Sequence, residues 1–140
     1  MNAHSLYLTR CLELARIAAA QGDSPVGSIV VKDGKILGEA WEDAKKTRDP
    51  TRHAEALAIG DAIKKHGSCE GATLYSNIEP CLLCAYVIRH HRIRAVVFNR
   101  YSGELGGYKG RINLLEADLS SWGKAPEVIV VPETPNTGSI

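Results

Sequence analysis

Cys81 and Cys84 stand three residues apart directly behind Pro80, and His53 stands two residues before Glu55 on a separate upstream segment. One imidazole and two thiols form a donor set that suits zinc. If one ion takes all three, the fold must bring both segments to one point, and each segment reads as a helix start. A thiol at a helix N-terminus lies among free N–H groups and a partial positive charge, which favours the thiolate that binds metal. Cys81 and Cys84, at i and i+3, can reach one ion from a single turn. No convincing fourth ligand follows. His90 and His91 lie about two turns further along the thiol-bearing helix, roughly 9–10 Å from Cys84 by helical rise. Cys69 falls on a loop.

Three protein ligands with a fourth position left to water describe a catalytic rather than a structural zinc site. Glu55 can point into the same pocket without ligating. A carboxylate there can take a proton from an acidified water and pass it to a substrate. That chemistry suits hydrolytic attack on an sp² carbon followed by loss of an amine. Two other readings compete for the thiols. A redox Cys-x-x-Cys pair has no use for His53 and Glu55, and a structural zinc knuckle lacks its fourth ligand.

The rest of the chain sets limits on partners. With 140 residues it is long enough for one domain, 1–140, with a core at about 5–131 and a tail over 132–140. A composition of 44% hydrophobic and 24% charged residues is that of a soluble globular protein. The net charge of +1 gives no global case for nucleic-acid or membrane binding. No basic-then-apolar leader opens the chain, and no apolar run approaches the ~20 residues that span a bilayer. We therefore expect a cytoplasmic protein, whose four cysteines point to metal or catalysis before disulfides. Cys11 reads as a core thiol and Cys69 as a loop thiol.

Periodicity orders the elements. Leu6, Leu8, Leu12, Leu14, Ala15, Ile17 and Ala18 predict a helix over 5–20, ended by Gly22. Strands over 28–32 and 35–41 flank Asp33-Gly34, a strong two-residue hairpin signal. Residues 42–48 read as a surface loop. Asp49-Pro50-Thr51 reads as a helix start, with Asp49 or Thr51 as cap, and the helix runs to 66. A strand over 72–76 precedes Pro80, which suits the first position of a helix running to about 91. Residues 95–98 are apolar throughout, as in a strand buried on both faces. Four glycines within 102–110 predict a mobile segment, a weak helix follows over 112–119, and a last strand covers 128–131. A hairpin followed by βαβ units predicts a mixed five-stranded sheet between helices, a three-layer α/β/α sandwich.

His53-Ala54-Glu55 followed by Pro80-Cys81-Leu82-Leu83-Cys84 matches the H-x-E…P-C-x-x-C signature, and so the chain resembles the cytidine deaminase superfamily. Pro25-Val26-Gly27, Gly38-Glu39-Ala40-Trp41, residues 49–55 and Arg92-Ile93-Arg94-Ala95-Val96-Val97-Phe98 are similar to the branch of tRNA adenosine, guanine and fungal-type cytosine deaminases. The similarity covers residues 6–98. It implies a cytidine deaminase-like fold and a zinc-dependent hydrolytic deaminase, with His53, Cys81 and Cys84 on the metal and Glu55 as the catalytic proton carrier. It also implies homodimers or higher oligomers. Substrate contacts are expected at Val26, Glu42, Ala54, Glu79, Pro80 and Tyr101, including backbone N–H groups of Ala54 and Cys81.

Two departures matter. Glu42 stands where this branch usually carries asparagine, and a carboxylate accepts where an amide also donates. If it does not face substrate, Glu42 should simply meet solvent at a loop start. The branch that edits tRNA resembles itself in a basic, aromatic final helix, which residues 132–140 do not suggest. These points, with the net charge, favour a small aminated heterocycle as substrate, a free base or nucleoside. The alternative is adenosine-to-inosine editing of tRNA, and a weaker one is a non-catalytic zinc-stapled interaction module. The basic run Arg89-His90-His91-Arg92-Ile93-Arg94 reads as a solvated helix end rather than a phosphate patch. Tyr101 and Tyr108, beside the glycine-rich segment, can equally cover a flat substrate or lie on the surface.

Overall fold

Alternation along the strands sorts the helices onto two faces. The computed structural model of the protein describes residues 2–133. Its strands are β1 (Gly27–Lys32), β2 (Lys35–Trp41), β3 (Thr73–Ile78), β4 (Ala95–Arg100) and β5 (Glu127–Val130). They form one sheet in the order β2-β1-β3-β4-β5. β1 runs antiparallel to both β2 and β3, whereas β3, β4 and β5 are parallel. Ile29, Val31, Tyr75 and Val97 point to one core, with Leu8, Cys11 and Leu14. Their neighbours Val30, Leu74, Val96 and Phe98 point to the other, with Ala58, Ile59, Ala62, Ala85 and Ile88. Period-two alternation requires this division.

Three helices cover the two faces. α1 (Ala3–Ala20) covers the first face and is capped by the Asn2 side chain, which accepts from the Ser5 N–H. A short α2 (Ala44–Thr47) interrupts the expected loop over 42–48. α3 (Ala54–His66) and α4 (Leu82–His90) cover the second face. The three-layer sandwich and its mixed five-stranded sheet follow the prediction. The hairpin does as well, with Asp33 and Gly34 both at positive φ as a tight turn between twisted strands requires.

Both helix starts shift. The Asp49 carboxylate turns back on its own chain and accepts from Thr51 N–H and Oγ1 at 3.0 and 2.6 Å, which makes a turn and not a helix cap. α3 therefore begins only at Ala54, with His53 in extended geometry at the N-cap. Pro80 likewise lies one residue before the cap of α4, which is Cys81. Its carbonyl accepts from Gly107 N–H at 2.8 Å.

The helix expected over 112–119 does not form. The Arg89 guanidinium donates to the carbonyls of Leu114 and Leu115 and lies over the Trp122 ring, so this segment is tied down as turns, followed by a single 3₁₀ turn (Ser120–Trp122). Arg89 is itself buried. This corrects the solvated reading of the basic run for that residue, while Arg92 and Arg94 stay exposed. Residues 134–140, and with them most of the tail, lie outside the described residues.

Candidate metal centre and the pocket around it

Two N-caps and one first turn converge at the end of β3. His53 caps α3, Cys81 caps α4, and Cys84 sits in the first turn of α4. His53 Nδ1 lies 3.3 Å from Cys81 Sγ and 3.6 Å from Cys84 Sγ. The three donor atoms lie within 4.8 Å of one another. A tetrahedral zinc with bonds of ~2.0 Å to nitrogen and ~2.3 Å to sulfur needs donors about 3.5–3.8 Å apart. The set fits that ion, and the side chains need only small adjustments to take it. Among the described residues, this is the group of His, Cys, Asp and Glu side chains that could hold a metal. Cys11 and Cys69 are buried and free, and neither joins the metal group. The expected loop thiol is therefore a core thiol too.

The electrostatics favour a thiolate on Cys81 and a neutral thiol on Cys84. Hydrogen bonding from the Cys84 thiol, the Cys84 backbone N–H and proximity to His53 hold the Cys81 thiol down at about 5. The Cys81 sulfur and burial push Cys84 in the opposite direction. A divalent cation between them would favour the thiolate on both.

Glu55 is in the first turn of α3, with its carboxyl buried against the same centre. Its Oε1 is 3.9 Å from Cys84 Sγ and its Oε2 is 3.5 Å from Ser76 Oγ. Burial pushes this carboxyl up to about 8, in a range where it can both accept and release a proton near neutral pH. Ser76 escapes sequence reasoning, as does its neighbour Asn77. Asn77 accepts from Gly27 N–H and donates to the Pro25 carbonyl, which fixes the backbone around Val26. Two consecutive polar residues near the end of the strand were the available signal, and the structure buries both.

The expected substrate contacts divide. Val26 and Glu42 adjoin, since the Glu42 N–H donates to the Val26 carbonyl at 3.0 Å. Glu42 and Ala54 engage each other: the Ala54 N–H donates to Glu42 Oε1 at 2.9 Å. Glu42 is 9% exposed, which rules out a side chain merely meeting solvent. Burial pushes its carboxyl up, against the pull of the Ala54 N–H and His53. Tyr101 is exposed and meets Phe98 edge-on at 5.6 Å between ring centres, and Tyr108 is partly buried against the same ring.

Glu79 is turned elsewhere. Its carboxylate, 1% exposed, accepts from the backbone N–H groups of Ser102, Tyr108 and Lys109 at 3.0, 2.8 and 2.7 Å. The segment over 102–110, expected to be mobile, is thus folded around a buried anion. A Cβ on Gly106 would come within 2.4 Å of that carboxylate, so glycine is required for the close approach. Backbone bonds from Leu82 N–H to Leu105 and from Gly107 N–H to Pro80 then set the loop beside the metal ligands. Glu79→Gln presents an amide donor to these N–H groups and should cost about 1–3 kcal/mol of stability. Urea midpoints measure that loss, and hydrogen exchange should show the amides of 102, 108 and 109 losing protection. Unchanged protection at all three would remove the anchor role.

The family model described as the cytidine and deoxycytidylate deaminase zinc-binding region matches residues 1–100. A tRNA-specific adenosine deaminase of Aquifex aeolicus is 37% identical over 112 residues, 79% of this chain and 74% of that one. A solved structure from studies of A-to-I editing by tRNA wobble-position deaminases superposes with a TM-score of 0.83 at 26% identity, covering 93% of this chain and all of the other. The guanine deaminase of Bacillus subtilis superposes with a TM-score of 0.67 at 36% identity, over 72% of this chain and 66% of that chain.

Proposed function

We propose, for a chain that belongs to the cytidine and deoxycytidylate deaminase zinc-binding family, that it hydrolyses the exocyclic amine of adenosine carried in transfer RNA. The family membership makes it a zinc-dependent hydrolytic deaminase. The observation that carries the substrate is the 37% identity to a tRNA-specific adenosine deaminase over most of both chains. This reverses the order expected from Glu42, the tail and the net charge, which favoured a small aminated heterocycle over tRNA. Net charge speaks only to the whole surface, while local cations can still meet a backbone phosphate. Lys45, Lys46 and Arg48 are exposed on and just after α2, between Glu42 and His53 in the chain. Lys109 and Arg111 are exposed on the loop that bridges to Cys81. These two groups support a phosphate-bearing substrate.

His53, Cys81 and Cys84 would hold the zinc. A bound zinc supplies Lewis acidity that readies water for attack on the amino-bearing ring carbon. Glu55 takes a proton from the attacking water and delivers it to the adjacent ring nitrogen. It then helps transfer a proton to the departing amine, so that water and the aminated ring give the oxo ring and ammonia. The buried Ser76 hydroxyl steadies the Glu55 carboxyl throughout.

Deamination of a free base is the second reading, supported by the 36% identity to a guanine deaminase. One experiment separates the two. The zinc-loaded protein is incubated at low salt with total tRNA and, separately, with guanine, cytosine, adenine and their nucleosides. Inosine is measured in the digested tRNA and ammonia in the other arm. We expect inosine in tRNA, formed more slowly as salt rises. Ammonia from a free base with no inosine in any tRNA overturns the first reading in favour of the second. Silence in both arms with zinc bound overturns both.

A further inference from the structure

We propose that Glu42 is a positioning residue for the metal: its carboxylate faces the outer nitrogen of His53 and fixes the ring whose inner nitrogen faces the thiols. The inference rests on the metal reading of His53, Cys81 and Cys84. His53 Nδ1 is directed at both sulfurs, so Nε2 is the nitrogen left on the far side of the ring. Glu42 Oε2 lies 3.9 Å from that nitrogen. This distance is longer than a hydrogen bond to the neutral ring of a ligand, and about 1 Å of closure makes it one. Among the described residues Glu42 has no other ion-pair partner. The neighbouring Arg52 is fully engaged by Asp43, at 2.8 and 2.9 Å to its two oxygens.

The other Glu42 oxygen is also occupied. It accepts from the Ala54 N–H, and so ties the side chain to the first residue of α3, directly beside the cap that presents the imidazole. One carboxylate therefore spans the helix start and the ring. A carboxylate behind a ligating imidazole fixes its tautomer and raises its basicity. Asparagine, the residue that the resembled branch carries here, is one methylene shorter and brings no charge. In this chain a position expected to read the substrate is instead built into the support of the metal.

The test uses the whole chain and zinc alone, with no substrate. Zinc is stripped, and the zinc Kd of the parent, Glu42→Gln and Glu42→Ala is measured by competition with a chromogenic chelator. Unfolding midpoints of the metal-free proteins are measured alongside. Glutamine keeps an oxygen for the Ala54 N–H but loses the charge, so E42Q should bind zinc about 10- to 100-fold more weakly with its midpoint little changed. E42A should lose the same affinity and some stability as well. Parent-like zinc affinity in E42Q overturns the proposal, and a loss confined to E42A assigns the effect to the helix cap and overturns it equally. A parent that binds no zinc overturns the metal site itself, an outcome distinct from either.

Discussion

Glu55→Gln is expected to slow ammonia release by about 100- to 10,000-fold while zinc stays bound. The candidate ligand atoms are His53 Nδ1 and the two sulfurs, and the Glu55 carboxyl lies beside them, 3.9 Å from Cys84 Sγ, without belonging to that set. Glutamine has the same shape and can keep the Ser76 contact, so neither the ligands nor the buried space should change. It cannot carry a proton between water and the ring. Zinc content by elemental analysis, and turnover on whichever substrate the tRNA and free-base assay shows to be active, give the two numbers needed. Full activity in E55Q would remove Glu55 from the chemistry. Loss of zinc would make it a ligand instead.

The reaction centre was legible because its chemistry is local. An imidazole, a carboxylate and two thiols at helix starts carry their meaning in residue type and spacing, and the structure brings all four side chains together. The sheet was legible for a similar reason, since alternation and the Asp33-Gly34 turn fix strands and hairpin within a short window. What stayed hidden depends on partners distant in sequence. Asp49 looked like a helix cap because its type is right, but its carboxylate closed on Thr51 first. Glu79 looked like part of the motif, yet its three partners lie more than twenty residues onward in a segment whose glycines read as slack. Arg89 looked solvated from charge alone, and only the chain folding over it shows that it is buried. For Glu79 and Arg89 the buried charged group decides the local structure, since leaving it unpaired would cost more than the local propensity gains.

Gly38→Ala should be the most damaging single methyl added to the second face. Gly38 lies in β2 where α3 crosses closest. A Cβ there would fall 2.5 Å from both the Ala58 carbonyl oxygen and the Ala62 nitrogen, and 3.0 Å from Ala62 Cα. These are backbone atoms of a helix, so no side chain can swing aside, and either β2 or α3 must move. Overpacking of this kind costs on the order of 3 kcal/mol, which for a chain of this length lowers Tm by roughly 10 °C. Gly60 provides the control within the same helix. It is exposed in α3 with nothing within 4 Å of the added carbon, so Gly60→Ala should gain about 0.5–1 kcal/mol through the lower entropy of the unfolded chain. Thermal unfolding of the two variants should move in opposite directions. The functional consequence follows from what α3 carries: its cap is His53 and its first turn holds Glu55. A helix pushed off the sheet displaces one candidate ligand and the proposed proton carrier together while Cys81 and Cys84 stay on α4. Zinc affinity should therefore fall in G38A and remain at the parent value in G60A. A G38A protein with parent-like Tm and zinc affinity would mean that the β2–α3 contact is not what holds this half of the metal centre in place.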